Sequence, residues 1–195
     1  EETRLWFRPR AVARGYSPEL VEKVWKVLEA FASFGFCKAH AAAFALPTYQ
    51  SAWLKTHHPA HFLAGVLTHD PGMYPKRLIL DDARHFGVEI LGVDVNRSGP
   101  EYLVEPVDAE RRRYGIRVAL AEVKGITDAE VARIVAARPY SSLDDFWQRS
   151  GVSRPTAERL VLAGGFDGIY GFAGDGVRRR GGVTRRDLLL QVADL

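Results

Sequence analysis

The chain has 195 residues, with 27 Lys and Arg against 24 Asp and Glu, a net charge of +3 and one cysteine, Cys37. That length supports one large domain or two small ones, and 47% hydrophobic against 26% charged residues is ordinary globular composition with enough apolar mass for a core. A single cysteine excludes an internal disulfide framework and a multi-cysteine zinc site and fits a reducing cytoplasm. No apolar run reaches the about 18 residues needed to span a bilayer, so no membrane partner is expected.

Residues 1–15 are basic, with Arg4, Arg8, Arg10 and Arg14 beside Trp6 and Phe7. Ser17-Pro18-Glu19-Leu20 starts a helix, with Ser17 as N-cap and Pro18 in the first turn. Val21, Val24, Trp25, Leu28 and Phe31 recur on one helical face until Gly35 stops it. A second helix begins near Lys38 or Ala39 and runs towards His57; Pro47 is expected to kink it or divide it in two. Pro59 opens a short helix with Phe62, Leu63, Val66 and Leu67 as its buried face. After an Asp70-Pro71-Gly72 turn, residues 76–86 form a helix closed by Gly87.

The texture then changes. Residues 88–95 are β-branched and read as a strand, and residues 102–105 and 114–118 pair as a hairpin. A domain boundary is placed between about residues 96 and 115. Thr127 caps a helix through Arg138, Ser141-Ser142 cap one over 143–148, and Ser153-Arg154-Pro155 starts one that ends at Gly164-Gly165. Residues 172–182 are rich in Gly and Arg, and Thr184 caps a last helix. The opening Glu-Glu-Thr and the close inside an apolar pattern read as a piece of a larger protein.

Several constellations invite chemistry. Residues 31–55 are almost free of acid and rich in aromatic and small residues, with Lys38 and His40 just after the Gly35-Phe36 break, a pattern suited to holding a polyanion. Val123-Lys124-Gly125-Ile126 joins two helical patterns, and a tight glycine hairpin there leaves backbone N–H groups and a helix start for a phosphate. Such contacts go to the nucleic-acid backbone and carry no sequence information. The other reading is an ordinary turn with glycine as a helix stop. Basic residues gather at 4–14, 111–117 and 178–186, as a nucleic-acid footprint or as solvated loops.

Asp81-Asp82, Asp94 and Asp144-Asp145 are the available carboxylates, but adjacent helical residues diverge by about 100° and do not converge on a metal pair. Pro59 interrupts the one-turn spacing of His57 and His61, and Cys37 with His40 lacks an orienting third group, so neither a metal site nor a nucleophile is read. No GxGxxG or GxxxxGK[ST] loop is present.

The run FASFGFCKAHAAAFALPTYQSAWLKTHHPAHFLAGVLTHDP resembles the fingers of the bacterial C-family replicative polymerases, the DNA polymerase III α subunit. The matching residues are Gly35, Phe36, Lys38, His40, Ala41, Tyr49, Leu54, Lys55 and Pro59, with Ala39 where the family commonly has Ser. GVEILGVDVNRS is similar to the family's strand ending in Asp-x-Asn-x-Ser, here Asp94, Asn96 and Ser98. YGIRVALAEVKGI through GGFDGI resembles its tandem helix-hairpin-helix module, with Thr127 in place of the second hairpin glycine. HDPGMYPKRLILDDAR looks closer to the error-prone, translesion branch.

The resemblance implies a mainly α fold: distal fingers over 1–98, a small β hairpin or linker over 99–118, a tandem helix-hairpin-helix module over 119–170, and an Arg/Gly-rich linker with the start of a further helix over 171–195. It implies part of a DNA-directed DNA polymerase that binds primer-template duplex and helps position the incoming nucleotide. Lys38, His40 and Lys55 are the expected nucleotide or primer-template contacts, and Lys124, Gly125, Ile126 and Thr127 the duplex-backbone contacts. The catalytic Asp residues and two Mg²⁺ belong to a palm upstream. A sliding clamp is met through a region downstream, the dNTP is met in the whole enzyme, and this stretch carries no cofactor and is inactive alone. Two other classes stay open. A non-catalytic helix-hairpin-helix repair scaffold accounts for residues 115–170 but not for Lys38, and a purely structural domain leaves the basic edges unexplained.

Overall fold

The computed structural model describes residues 2–32, 38–172 and 182–195, and the side chains of Phe31, Ala32 and Lys38 lie outside the described set. The Gly35-Phe36 break, Cys37 and the run Arg178 to Arg180 therefore fall outside the described residues. The chain divides into two compact units, Glu1–Gln50 and Ser51–Leu195.

In the first unit the basic N-terminal stretch is itself a helix, α1 (Glu2–Ala13), which packs on α2 (Pro18–Ala32). Ser17 accepts the Leu20 N–H at 3.3 Å, the N-cap bond its position predicts. Arg4 and Arg8 both reach Glu22, and the Phe7 and Trp25 rings lie 5.6 Å apart. The predicted apolar stripe of α2 is only partly covered. Val21 is buried and Trp25 partly so, whereas Val24 and Leu28 are 40% and 47% exposed.

Helix α3 (Lys38–His57) runs undivided through Pro47. The expected division does not occur. Proline removes one hydrogen bond, and Ala41, Ala42, Ala43 and Ala45 ahead of it are strong helix formers that hold the ladder on that side.

The second unit has two cores. In the first, α4 (Pro59–His69) and α5 (Lys76–His85) pack on a small sheet. The sheet comprises β1 (Glu89–Leu91), β2 (Leu103–Asp108) and β3 (Arg113–Arg117) in the order β1-β3-β2. β2 and β3 are the predicted hairpin, paired antiparallel with Val104 opposite Ile116; β1 lies parallel to β3. Leu63, Leu67, Ile79, Ala83, Val88 and Ile116 form the interior. The buried face of α4 is Ala60, Leu63, Ala64 and Leu67; Phe62 and Val66 are partly exposed. Each large side chain buried in this way contributes about 1.5–3 kcal/mol. Arg117 is buried at the end of the central strand β3, where its guanidinium makes a bidentate pair with Glu105 at 2.7 and 3.0 Å and donates to the Gly92 carbonyl at 2.9 Å.

The second core is built from α6 (Asp128–Ala136), α7 (Leu143–Ser150), α8 (Arg154–Leu162), the short α9 (Asp167–Tyr170) and α10 (Arg185–Asp194). Phe146 sits at its centre, edge-on to Tyr140 at 4.9 Å and to Phe166 at 5.1 Å. Leu188 and Val192 of α10 pack into the same core. The architecture is mainly α with one small sheet, as the sequence predicts.

The strand expected over 88–95 pairs only at Glu89–Leu91. The residues after it leave the sheet because their polar side chains form a turn of their own. Asp94 accepts the N–H groups of Asn96 at 2.7 Å and Arg97 at 3.1 Å, while Ser98 donates to the Val118 carbonyl at 2.8 Å.

Candidate nucleic-acid interface

That turn fixes both helical hairpins to the sheet. Asn96 clasps the Tyr140 backbone from both sides, donating to its carbonyl at 2.8 Å and accepting its N–H at 2.7 Å. The Val95 N–H donates to Gly165 in the second hairpin at 2.8 Å. Arg138, at the end of the α6 segment, donates to the Val95 carbonyl at 2.7 Å and also to Ser98. The Asp-x-Asn-x-Ser sequence thus does joining work that its spacing alone did not reveal.

The first hairpin follows a single 3-10 turn, Leu120–Glu122. Val123 is buried, Lys124 and Gly125 are exposed, Ile126 packs partly into the core, and Thr127 caps α6. Gly125 has φ +76°, a conformation that L side chains rarely adopt. The Ile126 N–H donates to Val123 at 3.1 Å, and the Thr127 N–H donates to the Glu130 carboxylate at 3.0 Å. The N–H groups of Lys124 and Gly125 meet no acceptor among the described residues. Of the four residues expected to hold a phosphate, two thus have their amides engaged internally and two have no acceptor among the described residues.

Glu130 is the residue the sequence reading missed, although Thr-x-x-Glu before an apolar run is its visible signal. Thr127 and Glu130 form a complete capping box, and the same carboxylate also accepts the Ser153 N–H at 2.9 Å, linking α6 to the start of α8. Burial pushes the Glu130 carboxyl up, and the hydrogen bonds from the Ser153 and Thr127 backbone and hydroxyls outweigh it, holding it at about 2. The start of α6 therefore already holds an anion of its own.

The second hairpin, between α8 and α9, turns at Gly164 with φ +84°. Each hairpin glycine has an arginine where a side chain would otherwise stand. A Cβ on Gly125 would overlap the Arg159 guanidinium, and one on Gly164 would come within 2.7 Å of Arg185 and 2.8 Å of Asp167. Arg159 donates to the Lys124 carbonyl at 2.7 Å, whereas Arg185 is paired with Asp167.

The other candidates are scattered. Lys38 opens α3, and its side chain lies outside the described residues. His40 is exposed and packs on Phe44 with ring centres 4.5 Å apart. The Lys55 ammonium pairs with Asp82 at 2.7 Å and lies over the Phe86 ring at 4.8 Å. His57, His58 and His61 contact aromatic rings, His57 and His58 against Trp53 and His61 against Tyr114. Asp81 pairs with Arg84, and Asp145 with Arg149. Among the described residues no three His, Cys, Asp or Glu side chains converge as a metal site. No helix among them is long and apolar enough to cross a membrane.

A family model described as a helix-hairpin-helix motif matches residues 87–179. The chain is 44% identical over 160 residues to error-prone DNA polymerase 1 of Agrobacterium fabrum, covering 78% of the chain and 14% of that polymerase. It is 36% identical over 211 residues to the error-prone DNA polymerase of Symbiobacterium thermophilum, covering 97% and 18%. For the Teredinibacter turnerae enzyme the figures are 34% over 165 residues, 83% and 16%. The chain spans only about one-seventh to one-fifth of the length of these relatives. The similarity along most of its length shows that the chain belongs to the bacterial C-family error-prone DNA polymerases, with a helix-hairpin-helix motif over residues 87–179.

Proposed function

We propose that this stretch holds primer-template duplex by its backbone, within a polymerase that performs template-directed nucleotidyl transfer. The observation that carries the reading is the first hairpin. Gly125 is left-handed, Lys124 and Gly125 are exposed, and their amides meet no acceptor among the described residues. Ile126 and Thr127 shape that turn, one by packing and the other by capping. Lys38 and His40, at the start of α3, are the proposed nucleotide or primer-template contacts. Lys55 is the weaker third, since Asp82 already shares its charge. The carboxylates that would bind two Mg²⁺, and the clamp contact, belong to other parts of such a polymerase. This stretch alone is therefore expected to bind DNA without extending it.

The test is binding of the chain to a fluorescent primed duplex across a salt series, compared with a Lys124→Ala, Gly125→Val double variant. Wild-type binding that weakens steeply with salt, and a double variant that loses much of it, support the reading. Equal binding by a folded double variant would remove the hairpin from the interface. A non-catalytic repair scaffold predicts the same binding. It is separated by placing Lys38→Ala in a full-length polymerase, where only the polymerase reading expects a raised KM for dNTP.

A further inference from the structure

We infer that the two hairpins are not equivalent in their hold on DNA: Arg159 is a backbone-phosphate contact at the first hairpin, and the second hairpin contributes no net positive charge. The inference rests on the proposed duplex-backbone function and refines it. It starts from a difference between two matched positions. Both hairpin glycines are left-handed, at φ +76° and +84°, and an arginine guanidinium lies against each in the space of the missing side chain.

The electrostatics of the two arginines differ. Arg185 is paired with Asp167 through both Nε and Nη2, so its charge is cancelled at the second turn. Arg159 makes no ion pair among the described residues; its one bond is Nη1–H to the neutral Lys124 carbonyl at 2.7 Å. A guanidinium has five N–H donors in a fixed plane. One anchors Arg159 on the hairpin, and its remaining donors and full charge lie beside the free amides of Lys124 and Gly125.

The capping box supplies the reason a side chain is needed. In a bare hairpin the helix start provides the attraction for phosphate. Here Glu130 occupies that start as a buried carboxylate, and Asp128 adds a second negative charge in the first turn. An anion arriving at α6 meets an anion already bound. Lys124 and Arg159 restore two positive charges at the same turn, and Arg159 is held in place rather than left free. A bidentate, oriented guanidinium suits a phosphate better than a mobile ammonium does.

The experiment uses the full 195-residue chain and a short fluorescein-labelled duplex of mixed sequence, with log Kd followed against log salt concentration. Each phosphate contact contributes about 0.9 to that slope. Arg159→Gln is expected to lower the slope by about 0.9 and weaken binding about tenfold at low salt, while Arg159→Lys keeps the slope. The paired substitution Arg185→Gln with Asp167→Asn, which leaves net charge unchanged, is expected to keep the wild-type slope. A slope unchanged in a folded Arg159→Gln variant, or lowered equally by the Arg185 and Asp167 pair, overturns the inference. If the Lys124→Ala, Gly125→Val variant still loses binding in the first of those cases, the hairpin function stands without Arg159. If neither variant changes binding, or the wild type does not bind, both fall. Thermal unfolding of each variant separates a lost contact from a lost fold, since a purely bracing role would move Tm without moving the salt slope.

Discussion

Glu130→Gln tests the capping box most directly. Glu130 is 5% exposed and its carboxylate accepts three hydrogen-bond donors: the Thr127 N–H and hydroxyl at 3.0 Å each and the Ser153 N–H at 2.9 Å. Its pKa falls from 4.5 to about 2 on folding. At about 1.36 kcal/mol per unit, that depression corresponds to roughly 3 kcal/mol of stability. The sign follows from the direction. A carboxylate whose folded pKa is lowered stabilises the fold above its unfolded value of 4.5, and the contribution disappears as the pH falls towards 2. Glutamine keeps the shape but loses the charge, and its amide N–H₂ faces donors. At pH 7 the variant should therefore unfold about 3 kcal/mol more easily, a drop in Tm of roughly 6–12 °C at about 2–4 °C per kcal/mol. Urea denaturation of both proteins between pH 7 and pH 2.5 is the assay. The gap should hold down to about pH 4.5 and close below it. A gap of the same size at pH 7 and pH 2.5 would refute the reasoning, because it would mean that the stabilisation does not depend on ionisation.

Three further outcomes are expected. Gly125→Ala forces an L residue to φ +76° and a Cβ into the Arg159 guanidinium, so it should cost about 1–3 kcal/mol in urea denaturation and weaken duplex binding as Arg159 is displaced. Glu105→Ala leaves the Arg117 guanidinium buried without its carboxylate and should cost about 3–5 kcal/mol, read as a shifted denaturation midpoint. Asn96→Ala removes both halves of the Tyr140 clasp and should cost about 2 kcal/mol, with faster hydrogen exchange at the Tyr140 amide.

The helices were legible where the chain carries its own punctuation. Thr127, Ser142 and Thr184 each accept an N3 backbone N–H, as isolated cap residues before apolar periods predict. The β2–β3 hairpin was legible from its β-branched and aromatic runs. Less visible was anything that depends on who faces whom. Residues 88–95 have strand composition, yet the sheet ends at Leu91 because the Asp94 side chain captures the backbone two and three residues on. The three basic clusters look alike in sequence. In the structure Arg4 and Arg8 are shared with Glu22, Arg117 is buried with Glu105, and Arg185 is paired with Asp167. Arg159 belongs to no cluster and gave no signal, because its significance is a bond to a carbonyl 35 residues away.

The joining turn bears on what the hairpin can do. Duplex held at Lys124 and Gly125 is positioned only as well as the hairpin itself is positioned. Had the helical module hung on a flexible connection, phosphate contacts would fix the DNA to the module and to nothing else. Here the Asp94–Ser98 turn bonds to Val118 on the sheet side, to Tyr140 between α6 and α7, and to Gly165 in the second hairpin. Helices α4 and α5 pack directly on the sheet. The polar turn is short, and its side chains are pinned at both ends, so there is little rotamer freedom left to lose when a ligand arrives. The fixed register between hairpin and sheet is therefore a property of the free protein. It is Asn96, not itself a proposed DNA contact, whose loss should blur the geometry of binding while leaving the charges of the interface intact.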